Sequence, residues 1–258
     1  MGSASREALA KARGSLQGRL SKTAGSELLE AADRIAKAPA LGAALGDASA
    51  LTESKTGLVE RLFGALSAGA RGVLLAAVAE RWSNADEFVA GVEELGLRAE
   101  ALAYAELPQE LLAVADLVDR SHELQLSLGS KLIEAEGKVS LVQRLLEGKV
   151  SASAISVVSH LAANPRGRRL DAALREAARV AADQGGFELA TVTVAAPLSA
   201  DQQDRLAKLL QRSVGRQVLV TTVIDPELLG GVRIQLADDV IDGSVRARLE
   251  DLRQKLAA

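Results

Sequence analysis

From Val218 the chain alternates apolar and polar positions. Val218, Val220, Thr222 and Ile224 share one side, the run breaks at Asp225-Pro226, and after Gly230-Gly231 it resumes with Val232, Ile234 and Leu236 against Arg233 and Gln235. Period-two alternation marks half-buried strands, and the Pro and Gly pairs mark the turns between them. A shorter run, Val240-Ile241, follows Asp238-Asp239, and Asp242-Gly243-Ser244 then leads into a predicted helix with Val245, Leu249, Leu252 and Leu256 on one face. Upstream, residues 187–195 alternate as another strand, and Ser199 stands three residues before Gln202. That is the spacing of a capping box, and it predicts a helix carrying Leu206, Leu209 and Leu210. Strand, helix and strand in this order make a βαβ unit with a right-handed crossover, which residues 232–236 join as a further strand. The expected product is a small α/β domain of about four short strands and two helices.

Before about residue 183 the period changes, and apolar positions recur at helical spacing between Gly, Ser, Asn and Pro breaks. An internal repeat lies within this region. ELLEAADRIAKAPALGAALG from Glu27 returns as ELLAVADLVDRSHELQLSLG from Glu110, and ESKTGLVERLF from Glu53 returns as EGKVSLVQRLL from Glu136. The offset stays near 83 throughout, which predicts two similar helical modules in sequence. Leu28, Leu41, Leu58 and Leu62 fall in register with Leu111, Leu124, Leu141 and Leu145, and both sets are expected to be buried. Residues 84–106 are expected to form a helix shared by the modules, closing the first and opening the second. The fold class is therefore α+β: a large all-α N-terminal bundle region with a duplicated module, then a small α/β C-terminal domain. The expected limits are 1–106, 107–185 and 186–258.

Composition narrows the possible roles. With one Trp, one Tyr and three Phe in 258 residues, the core has to come from Leu, Val, Ile and Ala, which suits closely packed helices. A net charge of −3 argues against a binder of phosphate backbones, so no nucleic-acid partner is expected. The absence of Cys excludes disulfides and thiolate metal sites. No apolar run approaches the roughly 20 residues that cross a bilayer, and the basic start has no apolar signal core behind it. A cytoplasmic location with membrane association only through partners is the expectation.

Two words near the C-terminus carry a resemblance: D-x-x-L-x-G-G-V-x-I over residues 225–234 and V-I-D-G-S-V-R-x-R-L over residues 240–249. They resemble the C-terminal signature of the delta subunit of bacterial rotary ATP synthases, relatives of the mitochondrial oligomycin sensitivity-conferring protein. A usual member has one N-terminal six-helix bundle and one small α/β domain. Residues 110–258 resemble that plan well, and the first copy of the repeat looks like the insertion of long actinobacterial forms.

The resemblance implies a non-catalytic peripheral-stalk, or stator, subunit of a proton-translocating ATP synthase at the cytoplasmic face of the cell membrane. Its implied partners are the N-terminal helix of an alpha subunit, the membrane-anchored b subunit and other subunits of the catalytic head. In the family the first and fifth bundle helices form the groove for the alpha helix. Here the first helix carries Leu9, Leu16 and Leu20 in a stripe flanked by Arg6, Lys11, Arg13 and Arg19. The stripe either packs on the bundle or helps to form that groove. Partner contacts are accordingly expected at Arg6, Leu9, Arg13 and Leu16 toward alpha, and at Leu228, Leu229, Gly230, Gly231, Ser244 and Arg248 in the C-terminal words. The alternative is a cytoplasmic helical-repeat adaptor unrelated to the synthase.

No catalytic residue, cofactor or metal site is expected. His122 and His160 occupy non-equivalent places in the two copies and read as ordinary surface or core histidines. Gly185-Gly186 and Gly230-Gly231 do not sit between strand and helix with phosphate-loop spacing and read as backbone bends, with close approach by a partner backbone as the second reading for the latter pair. Asp225, Asp238, Asp239 and Asp242 read as turn and cap residues. Arg166, Arg168 and Arg169 read as a solvated helix start after Pro165, with salt pairing to an acidic partner as the second reading.

Overall fold

The computed structural model describes residues 1–18, 20–130, 132–226, 228, 230–236 and 239–245. The chain divides into two compact units, Met1–Ala181 and Ala182–Ala258.

The first unit is helical. α1 (Ser3–Ala12) passes into a 3-10 turn over Arg13–Gln17, and α2 (Ala24–Ala36), α3 (Pro39–Gly46), α4 (Thr52–Leu62), α5 (Ala68–Ala79) and α6 (Ala85–Ala103) follow. Then come α7 (Leu107–Arg120), α8 (His122–Gly129), α9 (Ala135–Leu146), α10 (Ala152–Ala163) and α11 (Leu170–Gln184). The starts of α2, α3 and α4 recur at the starts of α7, α8 and α9 with an offset of 83 residues. The start signals recur too. Ser67 caps α5 by accepting from the Ala70 amide, and Ser151 caps α10 by accepting from the Ala154 amide. Glu27 of α2 accepts the Ser67 amide at 2.7 Å, and Glu110 of α7 accepts the Ser151 amide at 3.1 Å.

α6 lies between the two sets of helices. Its residues Leu95, Gly96, Leu97, Arg98, Ala99 and Glu100 are all buried, and six consecutive buried positions take in every side of a helix. On one side α2 comes so close that a Cβ on Gly25 would stand 2.7 Å from the Glu100 backbone nitrogen. On another side α6 meets α10, which also packs directly against α2.

The leucine register expected from the repeat needs correction. Leu28 and Leu111 are fully buried, but Leu41, Leu58, Leu124, Leu141 and Leu145 are only partly so, and Leu62 is 44% exposed. The inward stripe of α4 is Lys55, Val59 and, just past its end, Phe63; in α9 it is Lys138, Val142 and Leu146. Each residue turns a helix by about 100°, so moving the stripe by one position turns Leu62 outward and Phe63 into the core. The aliphatic stems of the two lysines let a charged residue sit at the start of the stripe.

α1 also ends earlier than its sequence stripe suggested. Gly14 lies within the 3-10 turn and Gly18 ends it, and the Ser15 hydroxyl donates to the Ala12 carbonyl at 2.6 Å. Leu9 and Leu16 still join the first core, with Leu20 packed at its edge.

The second unit has β1 (Phe187–Val194), α12 (Ala200–Val214), β2 (Gln217–Ile224), β3 (Val232–Leu236) and β4 (Asp239–Asp242) in the sheet order β2-β1-β3-β4. β1 and β2 run parallel, as a crossover through α12 requires, and the other pairings are antiparallel. Val192 pairs with Thr222 on one side and Ile234 on the other, at the centre of a core that includes Ala190, Val194 and Leu210. The capping box is present: Ser199 accepts from the Gln202 amide at 3.3 Å, and the Gln202 side chain accepts from the Ser199 amide at 2.8 Å. Of the three leucines expected on α12, Leu206 and Leu210 pack against the core while Leu209 is 61% exposed. Positions four apart share a helix face, whereas adjacent positions do not. The helix expected to carry Leu249, Leu252 and Leu256 lies outside the described residues.

Candidate partner-binding faces

α1 is fixed to the start of α6 by polar bonds. The Gly2 amide donates to the Glu87 carboxylate at 2.9 Å, and the Ser83 amide donates to the Ser5 hydroxyl at 2.9 Å. The Ser5 hydroxyl beside Glu87, with the Gly2 amide, holds that carboxyl below its ordinary range. Leu9 and Leu16 point into the core, while Arg6 stands exposed on the outer side and Arg13 is half-buried. The α1 stripe thus packs on the bundle, and its outward positions are Arg6, Glu7, Ala10 and Lys11. On α5, Gly72 adds an open position where a Cβ would meet nothing within 4 Å.

Within the helical unit the charged cluster sits elsewhere. Glu93 of α6 is buried, with His160 Nε2 of α10 at 2.9 Å, Arg168 at 2.9 Å and Arg166 at 3.3 Å. Burial opposes ionisation of Glu93, but the His160 hydrogen bond, the Arg166 and His160 charges and the Arg168 hydrogen bond outweigh it and hold the carboxyl at about 2. All three arginines are exposed, as a solvated helix start requires, and Arg166 and Arg168 in addition clamp α6 through Glu93. Arg169 pairs with Asp171 at 3.0 Å. To reach Glu93 the segment before α11 turns sharply, with Arg166 at φ 45° and Gly167 at φ 76°. The Arg run was visible in the sequence, but nothing local pointed to an acceptor on a helix more than seventy residues away.

In the second unit Gly230 and Gly231 adopt φ 131° and 83°. A Cβ on Gly231 would fall 2.5 Å from the Gly243 carbonyl oxygen and 2.9 Å from Ser244 Cα. The close backbone approach at this pair thus comes from the chain's own Gly243-Ser244 segment. The Val245 amide donates to the Gly230 carbonyl at 3.0 Å, and Ser244 is buried with its amide on Asp242 at 2.9 Å. Leu228 is half-buried, and Leu229 and Arg248 lie outside the described residues. Asp242 acts as the turn residue expected of it, and Val240 and Ile241 on the edge strand β4 are exposed.

Among the described residues no group of His, Asp and Glu is placed to hold a metal ion, and no helix is long and apolar enough to cross a membrane. His160 is the bonded core histidine of the cluster above, and His122 is exposed.

A helical unit and a small α/β unit, with buried charge used to clamp helices together, define a structural connector of two parts. The family model described as ATP synthase delta (OSCP) subunit matches residues 94–256. "ATP synthase subunit delta" of Leifsonia xyli subsp. xyli is 44% identical over 263 residues, covering 100% of both chains. The protein of the same description from Corynebacterium urealyticum is 36% identical over 245 residues, covering 91% of this chain and 89% of that one. Among solved structures, a chain of the "Cryo-EM structure of Toxoplasma gondii mitochondrial ATP synthase hexamer" matches at 22% identity and TM-score 0.38, over 63% of this chain and 96% of that one. The chain belongs to the ATP synthase delta (OSCP) subunit family, in its long actinobacterial form, and is a structural, peripheral-stalk subunit of ATP synthase rather than a catalytic one. The reading as an unrelated helical adaptor is thereby set aside.

Proposed function

We propose that the helical unit grips the catalytic head of the synthase through the N-terminal helix of an alpha subunit, and that the α/β unit grips the membrane-anchored b subunit. The assembly lies at the cytoplasmic face of the membrane, and the two grips together resist rotor torque. Tethering strengthens each modest interface, because once one end is bound the other binds as if intramolecular. The observation that carries this reading is the division into two compact units, one helical and one α/β, in a chain of this family.

Two further observations favour α1 and α5 as the alpha-binding pair. In the second copy the corresponding pair is α6 and α10, where α6 is buried on every side over residues 95–100 and α10 also packs against α2, a helix of the other copy. On α1 and α5, Arg6, Ala10 and Gly72 offer an outward surface suited to a docked helix, with Leu9 and Leu16 supporting it from the core side. Arg13 flanks that surface. On the b side the reading assigns Leu228, Leu229, Gly230, Gly231, Ser244 and Arg248.

The module limits 1–106, 107–185 and 186–258 belong to the same proposal. They are supported by the recurring Glu-to-Ser cap bonds and by the start of the family match at residue 94, within α6.

Photo-crosslinking of the intact chain in assembled synthase tests the reading. A crosslinker at Arg6 should capture alpha and one at Leu228 should capture b. Exchanged captures would reject the assignment.

A further inference from the structure

Among the described residues, two buried side-chain oxygens have no hydrogen-bond partner: Asp33 Oδ1 on α2 and Ser159 Oγ on α10. Both residues line one cavity of about 480 Å³, which α2 of the first copy forms with α9 and α10 of the second. Its size is within the roughly 300–1,000 Å³ range of small-ligand sites. Ser159 is 8% exposed, and a buried hydroxyl left unbonded is costly. Each oxygen ends a rotatable side chain, so a turn about Asp33 χ2 or Ser159 χ1 presents it to the cavity.

The repeat indicates what is missing. Asp116 holds in α7 the place that Asp33 holds in α2, and its Oδ1 accepts from Arg175 Nη2 of α11 at 2.7 Å. Among the described residues no arginine reaches Asp33, and Lys37 pairs only with its other oxygen, Oδ2, at 2.7 Å. A carboxylate oxygen can only accept, so the group that satisfies Oδ1 must donate, and a hydroxyl can accept from that same group. The charges at the cavity favour a cation. Glu30 and Glu136 add two exposed carboxylates to its lining, Lys37 is already on Asp33, and His160 has its Nε2 on Glu93 at 2.9 Å.

We propose that this cavity binds a guanidinium, its N–H groups on Asp33 and Ser159 and its alkyl stem against Leu29 and Val139. Two sources share that chemistry: a small free guanidine, and an arginine side chain presented by a partner protein segment.

The test is methyl NMR on the full chain, titrated separately with propylguanidinium, with neutral propylurea and with the peptide acetyl-Ala-Leu-Arg-Leu-Ala-amide. Propylguanidinium or the peptide should shift the Leu29 and Val139 methyls, with propylurea about tenfold weaker or worse. Asp33→Asn should weaken binding about tenfold or more, and Asp116→Asn should leave it intact. Ser159→Ala, which deletes an unpartnered hydroxyl, should weaken binding about threefold or more without lowering Tm, and it covers the case in which Asp33→Asn fails to fold. Tighter binding of the peptide assigns the site to a protein segment, and tighter binding of propylguanidinium assigns it to a small guanidine. Absence of shifts with both cations, equal binding of propylurea, or unchanged binding in Ser159→Ala would overturn the proposal.

Discussion

His160 Nε2 lies 2.9 Å from Glu93 Oε2, joining α10 to α6 across a sequence separation of 67. The pair ties a helix of the second copy to the helix that the first copy also packs against. Replacing Glu93 with Gln removes the charge that Arg166, Arg168 and His160 surround, at a cost of about 2–3 kcal/mol, since the arginines can relax toward water. A carboxyl lowered from 4.5 to about 2 on folding stabilises the folded chain fully above about pH 4.5, and that contribution fades as pH falls toward 2. Chemical denaturation of the intact chain at stepped pH should show this acid-labile component, and Glu93→Gln should lack it. Parallel wild-type and variant curves through that window would contradict the account.

Glu100, two turns along the same helix, is shifted the opposite way. Burial pushes its carboxyl above the ordinary range, and hydrogen bonds from Ser153 and from the Ser26 backbone offset this only in part. Such a group favours folding while protonated, and the benefit is lost as pH rises through its folded value. Glu100→Gln should therefore be neutral or stabilising at pH 7, raising Tm by roughly 2–4 °C, with the gain shrinking as pH falls through the folded value and gone below about pH 4.5. A fall in Tm at neutral pH would show that the two hydrogen bonds outweigh the burial cost.

These two carboxylates show where the sequence was legible and where it was not. Strand alternation, the Ser199 capping box and the 83-residue repeat are local or periodic signals, and the corresponding elements are present. Burial within a helix depends on rotation about its axis, so a leucine-rich stretch such as residues 58–62 does not say whether Leu62 or Phe63 faces the core. Glu93 sits in a run of acidic and apolar residues that looks unremarkable, and its partners lie on other elements. Of the expected partner-facing residues, the packing of Leu9 and Leu16 was one of the two readings offered by their spacing. The Gly231 contact with Gly243 was not readable, because a glycine pair in sequence does not name the backbone that approaches it.

Gly231 gives a sharper test of that contact. Its φ of 83° already disfavours any Cβ, and the added atom would collide with the backbone of Gly243 and Ser244 rather than with a movable side chain. Gly231→Val should destabilise the second unit by about 3 kcal/mol or more and broaden resonances of β3 and β4. Gly215→Ala, strained by a φ of 73° but with open space around it, should cost only about 1 kcal/mol. Equal losses for the two would mean that the close approach contributes nothing beyond the dihedral. Because Gly231→Val perturbs the fold of the unit, lost binding to b in that variant would not by itself locate an interface.

The cap bonds carry the last prediction. Glu110 accepts from both the amide and the hydroxyl of Ser151, at 3.1 and 2.5 Å, and Ser151 in turn accepts from the Ala154 amide at 3.1 Å. The carboxylate sits at the N-terminus of α10, where the helix dipole and unsatisfied amides favour negative charge. Glu27 does the same for α5 through Ser67, with Thr23 as a further donor at 2.7 Å. Ser151→Ala should cost about 1 kcal/mol as a lost cap, and Glu110→Ala about 1–2 kcal/mol as a lost charge-assisted acceptor. The double variant should lose less than the sum, because each single change already breaks their shared bond. The corresponding cycle at Glu27 and Ser67 should give a coupling of the same sign, measured by urea denaturation of the intact chain. Strict additivity at both sites would show that the recurring geometry is shape without energetic linkage.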